Sequence, residues 1–271
     1  MSSRGTGSRA IPSGATGPGT TGPSATGPGA TESGATGGVA ALIAAAGAGT
    51  RLGSGPKALL RLGDSTLLEL TLAAFAGFVD QIVVAAPADY VDRLGAAHPE
   101  VTVIAGGETR QRTVKRLVEA GTSELVVVHD VARPFLPAAV LRRVIAAARR
   151  HGAATAAVTI ADTIVTLDPL AASTAAVHES SSGYGSVVER EALRAVQTPQ
   201  AFDRELLANA HAAAAAAGTS ATDDAGLVTL SGRYVELVEG SRLLFKITEP
   251  ADLILAEALL PRWLANSRAQ T

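Results

Sequence analysis

The stretch Val39-Ala40-Ala41-Leu42-Ile43-Ala44-Ala45-Ala46-Gly47-Ala48-Gly49-Thr50-Arg51-Leu52-Gly53-Ser54-Gly55-Pro56-Lys57 passes from an apolar run into a glycine-rich, cationic loop. Val39–Ala46 has no polar position, so it reads as a strand covered on both faces, the signature of a central parallel strand. Ligands of open α/β sheets bind just outside the carboxyl ends of such strands. Glycines there let backbone N–H groups approach a phosphate, and Arg51 and Lys57 add positive charge. Two familiar phosphate loops do not fit. Walker A needs Ser or Thr after its lysine, and Lys57 is followed by Ala58. The dinucleotide fingerprint needs a third glycine where Leu52 stands. The stretch reads either as a different anion loop or as a βα loop carrying two solvated cations.

Outward from this loop the pattern alternates. Ser65–Ala76 has helical spacing, with Ser65 as its expected N-cap. Strands are predicted at Gln81–Ala86, Val101–Ala105, Leu125–His129 and Ala153–Val158, with helices at Tyr90–Ala97, Arg110–Ala120 and Pro137–Arg150 between them. This β–α alternation implies an α/β fold, a doubly wound, mostly parallel sheet with helices on both faces. Residues 160–190 break the rhythm. A strand-like piece, Asp162–Leu167, is followed by a Ser/Gly-rich stretch, an excursion from the main sheet. Strands are predicted again at Leu193–Thr198, Tyr234–Val238 and Leu243–Ile247. A helix over Arg204–Ala217 is bounded by Asp203 and Gly218, and a last one starts near Pro250 with Thr248 as its N-cap.

Residues 1–38 differ in kind. From Ser13 to Gly38 nearly every residue is Gly, Pro, Ser, Ala or Thr, with no large apolar face to offset ordering entropy. They read as a disordered tail without the apolar core of a secretory signal, leaving 39–271 as the folded domain. Among all 271 residues 47% are apolar and 18% charged, enough to build a core. The absence of cysteine excludes disulfides, thiolate metal sites and a cysteine nucleophile, and suits a cytoplasmic location. A net charge of −2 and 3% aromatic residues argue against nucleic acid as a partner. No apolar stretch reaches the ~20 residues of a membrane span.

A second chemical signal is Val126-Val127-Val128-His129-Asp130-Val131-Ala132-Arg133-Pro134-Phe135. A carboxylate at the end of a buried strand lies at the carboxyl edge of the sheet. Asp130 reads either as a ligand of phosphate-bound Mg²⁺ or as a cap or an ion-pair partner of Arg133. His129 reads as structural, and the other histidines are scattered without metal-ligand spacing. Gly106-Gly107-Glu108-Thr109-Arg110, with Thr113 following, forms another tight strand-to-helix loop suited to contacting a base. Lys246, inside an apolar run, must face a ligand or solvent. Thr222-Asp223-Asp224 reads either as a polyol site or as the cap of a following helix.

Taken in order, these motifs resemble the 2-C-methyl-D-erythritol 4-phosphate cytidylyltransferase family of the non-mevalonate isoprenoid route, over about residues 39–260. They are joined by Val188-Glu189-Arg190, Val196-Gln197-Thr198-Pro199-Gln200 and Phe245-Lys246-Ile247-Thr248. The resemblance implies a Rossmann-like, nucleotidyltransferase-type sheet with a protruding β-arm near 160–190 that joins two subunits. It implies transfer of CMP from CTP to a polyol phosphate, with Mg²⁺ as cofactor. Ribitol 5-phosphate cytidylyltransferases share most of these motifs, and a non-catalytic nucleotide-binding homologue is the reading from another class. By position, Arg51, Lys57 and Lys246 are the catalytic cations. Ala45, Ala46, Gly47, Gly49, Gly107, Glu108, Thr113, Asp130 and Val131 are implied to bind the nucleotide, with Asp130 at the metal. Thr163, Arg190, Thr222 and Asp223 are implied at the acceptor, some from the second subunit.

The chain departs from the family pattern in four places. The Arg51–Lys57 interval is one residue short, Val131 replaces the usual alanine, Ala58 follows Lys57 in place of glutamine, and the arm is enlarged over 171–186. The chemistry implied needs no strong base, because an acceptor phosphate is already ionised at neutral pH. Positioning and neutralisation of anions are what remain.

Overall fold

β1 (Val39–Ala44) lies in the interior of the main sheet because both of its faces are apolar. The computed structural model describes residues 37–47, 49, 52–53, 55–168 and 182–268. The tail reading of 1–38, apart from Gly37 and Gly38, falls outside them, and so does most of the enlarged 171–186 segment. After β1 the chain forms a two-residue-strand hairpin, β2 (Arg61–Leu62) and β3 (Ser65–Thr66), then α1 (Leu67–Phe75). Next come β4 (Gln81–Ala86), α2 (Val91–Ala97), β5 (Thr102–Ala105), α3 (Arg110–Ala120), β6 (Leu125–Asp130), α4 (Ala138–His151) and β7 (Ala153–Thr159). The arm consists of β8 (Ile164–Asp168) and β9 (Gly183–Val188). The chain closes with β10 (Arg194–Asp203), α5 (Arg204–Ala217), α6 (Asp224–Leu230), β11 (Glu236–Glu239) and α7 (Pro250–Arg268).

The seven-stranded sheet has the order β11-β7-β10-β6-β1-β4-β5. Every neighbouring pair is parallel except the two that β10 makes, antiparallel to both β6 and β7. Chain order reverses at β1, which runs to β4 on one side and β6 on the other. That is the switch point where crossovers leave a crevice at the strand ends. Alternation along the strands feeds two cores. Ala41, Ile43 and Val127 face a layer built with Phe75, Phe135 and Leu141, while Leu42, Val126 and Val128 face one built with Leu117, Phe202 and Leu207.

Several local expectations need correction. Thr66, not Ser65, caps α1: its hydroxyl accepts from Glu69 N at 3.1 Å, and its own backbone N donates to Glu69 Oε2 at 2.6 Å. Ser65 is instead spent in the β2–β3 hairpin. The predicted strand Leu243–Ile247 does not exist. Arg242–Leu244 is a single 3₁₀ turn, and the residues after it are held by bonds to the loop following β6 rather than by a ladder. Thr248 does not cap α7 by accepting. Its backbone N and its hydroxyl both donate to Asp252 Oδ2 at 2.8 Å. The strand predicted over Leu193–Thr198 begins one residue later and covers only the first part of β10, whose register shifts between Val196 and Gln200. The caps of α5 match expectation: Asp203 accepts from Leu206 N, and Gly218 is left-handed at φ 62°.

His129 is structural, as read. It is fully buried, its Nε2 lies 3.0 Å from the Arg133 carbonyl, and its Nδ1 lies 3.1 Å from Thr198 Oγ1. A carbonyl only accepts, so Nε2 carries the proton and Nδ1 takes the threonine hydroxyl. Burial lowers its pKa to about 4, so the folded ring stays neutral where the unfolded ring takes up a proton. With the folded value below the unfolded one, stability is retained above pH ~6.5 and lost progressively as pH falls towards 4. Denaturant unfolding at pH 8 and pH 5 should show a loss of about 2 kcal/mol from this group. His129→Gln should lose measurably less over the same interval.

Candidate active site

At the carboxyl ends of β1 and β6 the sheet opens into a cavity of about 450 Å³. Its floor is the register pair Ala44 and Asp130, joined below Val131 by the bond from Val131 N to Ala44 O at 3.3 Å. One wall is the loop after β1. Gly49, at φ 66°, tucks so close to the returning chain that a Cβ there would stand 2.1 Å from the Gly55 carbonyl oxygen. Only glycine meets both demands. The loop closes where Lys57 N donates to Gly47 O at 3.1 Å. The opposite wall is the turn from β5 into α3. A Cβ on Gly106 would meet Ala46 Cβ at 2.3 Å, so the two walls approach as closely as backbone allows. Thr113 Oγ1 accepts from Gly107 N at 3.0 Å and donates to Thr109 O at 2.9 Å, shaping that turn.

Cations enter from three directions. Lys246 Nζ lies 2.8 Å from Asp130 Oδ2, and Arg110 Nε lies 3.1 Å from Asp130 Oδ1. Lys57 Nζ donates to the Ile247 carbonyl at 2.8 Å. The 244–247 segment is held in place by Arg133, whose Nη1 donates to Leu244 O, and by Ile247 N on Ala132 O at 2.9 Å. Both lysines are therefore positioned by one short segment of irregular chain. Burial alone would raise the Asp130 pKa, but Arg110, then Lys246, hold it well below the carboxylate range, so it is an anion at neutral pH. Burial likewise opposes the charge on Arg110, and Asp224 and Asp130 outweigh it, raising its pKa above the ordinary value.

Ala46, Gly47, Gly49, Lys57, Gly107, Glu108, Thr113, Asp130, Val131 and Lys246 all line this cavity. The other expected residues that are described, Ala45, Thr163, Arg190, Thr222 and Asp223, do not. Ala45 is fully buried in the core below. Asp223 is consumed as the cap of α6, accepting from Gly226 N at 2.9 Å, and by Gln200 Nε2 at 2.7 Å, so the capping reading of that motif holds. Thr222 is exposed beside it. Thr163 and Arg190 stand at the base of the arm, where Arg190 Nη1 donates to Ala161 O. Arg51 lies outside the described residues. Asp130 pairs with Arg110 and Lys246 rather than forming an ion pair with Arg133.

Arg110 is the residue the sequence reading passed over. It opens α3 directly after the N-cap Thr109. A cation in a helix's first turn opposes the dipole, which is the signal that could have marked it as needing carboxylate partners from elsewhere.

The chain matches the family model described as IspD: 2-C-methyl-D-erythritol 4-phosphate cytidylyltransferase over residues 39–262. It is 49% identical over 220 residues to a protein of that description from Deinococcus radiodurans, covering 81% of this chain and 88% of the relative. A relative of the same description from Thermus thermophilus is 48% identical over 228 residues, covering 84% of this chain and 99% of the relative. The crystal structure of the 2-C-methyl-D-erythritol 4-phosphate cytidylyltransferase from Thermus thermophilus superposes with a TM-score of 0.68 at 43% identity, covering 82% of this chain and 98% of the other. That of a 4-diphosphocytidyl-2C-methyl-D-erythritol synthase from Anaerococcus prevotii gives 0.69 at 27% identity, covering 82% and 96%. A cavity at the switch point, walled by two glycine turns and set with two lysines, together with these matches over the whole domain, places the chain in the 2-C-methyl-D-erythritol 4-phosphate cytidylyltransferase family.

Proposed function

We propose that the protein transfers CMP from CTP to 2-C-methyl-D-erythritol 4-phosphate, releasing pyrophosphate. The observation that carries this reading is the convergence of Lys57, Lys246 and the ionised Asp130 at the end of β6, facing a cavity walled by glycine turns. An acceptor phosphate oxygen attacks the α-phosphorus as the bond from that phosphorus to the bridging oxygen breaks, and the electron pair leaves with pyrophosphate. The attacking oxygen is already anionic, so no side chain has to remove a proton. Lys57 meets the charge that develops on the α-phosphate. Lys246, 40% exposed in its side chain, turns from Asp130 to the two phosphates that react. The turn at Gly107 and Thr113 reads the base through backbone groups.

Mg²⁺ fits this donor set. Glu108 is exposed and paired with Arg112, which leaves Asp130 as the buried carboxylate of the cavity. Among the described residues no group of three or more His, Asp or Glu forms a metal cage by itself. A single carboxylate suits an ion that takes its remaining oxygens from phosphates and water. Asp130 would hold it, and the ion would neutralise charge on the departing pyrophosphate.

The arm supports a homodimer. Leu167, Tyr184 and Val187 on the β8–β9 hairpin are 63–70% exposed, an apolar surface of the kind a partner copy covers. Thr163 and Arg190, at the base of the arm and away from the cavity of their own chain, would then complete the acceptor site of the partner. Among the described residues no helix is long and apolar enough to cross a membrane.

Pyrophosphate release should be fastest with CTP and 2-C-methyl-D-erythritol 4-phosphate. Comparable rates with ATP, or a preference for ribitol 5-phosphate, would overturn the assignment. Lys57→Ala should lower kcat by about 10²–10³ with little change in CTP KM, and Lys57→Arg should not restore it. Lys246→Ala should damage kcat and acceptor KM together. Mixing the Lys57→Ala and Arg190→Ala proteins after subunit exchange should recover roughly a quarter of wild-type activity, since a two-fold dimer of the two variants holds one intact site. No recovery from two folded variants that do exchange subunits would rule out an acceptor site shared between subunits.

A further inference from the structure

Behind the cavity wall lies a pair of buried titratable groups for which the transfer reaction has no direct use. The side chains of His211, on α5, and Asp224, at the first position of α6, are 2% and 1% exposed. His211 Nε2 lies 3.2 Å from Asp224 Oδ1, and because a carboxylate only accepts, Nε2 carries the proton. Asp224 Oδ2 accepts from Arg110 Nη1 at 2.8 Å. Arg110 Nε then reaches Asp130 Oδ1, and Asp130 Oδ2 reaches Lys246. Five side chains thus form one unbroken line from α5 to the cavity.

The far end of this line is fixed. Gln200, buried on β10, donates to the Asp223 carboxylate at 2.7 Å and accepts from Ala225 N at 3.1 Å, so the residues on both sides of Asp224 are tied to the sheet, one through its side chain and one through its backbone. In the proposed reaction the near end changes, because Lys246 turns from Asp130 to the phosphates. A guanidinium held only by Asp130 would follow that carboxylate, whereas one held at a second edge by an immobile carboxylate keeps its plane. Pairing satisfies these buried carboxylates, but it does not explain why charges are buried here at all. Buried ion pairs gain little over apolar packing, and Arg110 Nη2 is left buried without a hydrogen-bond partner.

We propose that His211 and Asp224 are positioning residues, which lock Arg110 so that the Asp130 carboxylate keeps its orientation once Lys246 has turned to the substrates. The proposal rests on the CMP transfer reaction above. Asp224→Asn should lower kcat about 10–100-fold with CTP KM within a few-fold of wild type. Arg110→Gln should do the same, and the double variant should be no worse than Arg110→Gln alone, because both act through one contact. Losses that multiply in the double variant, or a folded Asp224→Asn with wild-type kcat, would overturn the proposal. If Asp224→Asn does not fold, His211 decides. His211→Leu should lower kcat, and His211→Gln, which keeps a donor, should restore most of it. Equal kcat in these two variants, whatever their melting temperatures, overturns the proposal. Wild-type protein assayed alongside separates the two ideas: if it releases no pyrophosphate the transfer reaction itself is wrong, and if it is active while the variants match it only the positioning role fails.

Discussion

A carboxylate buried at the end of a hydrophobic strand must be paired, and the site is organised by how Asp130 meets that demand. Three valines and His129 carry β6 through the middle of the sheet, so Asp130 emerges where water is scarce. Left unpaired there, an ionised carboxylate would cost several kcal/mol. Arg110 arrives from the start of α3 and Lys246 from the segment before α7. Each comes from a distant part of the chain, and each is brought into the cavity by the same charge. The pairing thereby brings two cations to the cavity at the end of β6.

The backbone around Asp130 follows the same logic. The irregular 244–247 segment makes no ladder, yet Arg133, Ala132 and Lys57 all bond to its backbone. Those bonds replace the strand pairing that its apolar sequence suggests. They hold the main chain on either side of Lys246, whose half-exposed side chain pairs with Asp130. On the proposed reaction only that side chain has to reorganise when phosphates arrive.

The glycine walls solve a different problem. Gly49 and Gly106 each occupy a place where a methyl group would collide with neighbouring atoms, so each wall packs at a distance that only glycine permits. Main-chain N–H groups in such turns offer fixed dipoles to an anion or a base edge without losing side-chain entropy. The residues expected at the acceptor, in contrast, are not among those that line this cavity.

The alternation of apolar strands with amphipathic helices was legible in the chain itself, because burial on both faces of Val39–Ala44 and Leu125–Asp130 leaves no other place for them than the centre of a parallel sheet. The glycine turns and Lys57 were legible for a similar reason: the path of a short loop is set by residues next to one another. Thr66 displaced Ser65 as a cap, and Leu243–Ile247 failed as a strand, because each outcome was decided by hydrogen-bond partners that the local pattern does not name. Arg110, Asp224 and His211 carried no mutual spacing that could be read, since 114 positions separate Arg110 from Asp224. Local propensity and periodicity determine which segments become strands, helices and turns. Which charges then meet is decided only when the sheet closes, because a buried ion takes whatever partner the packing brings within reach.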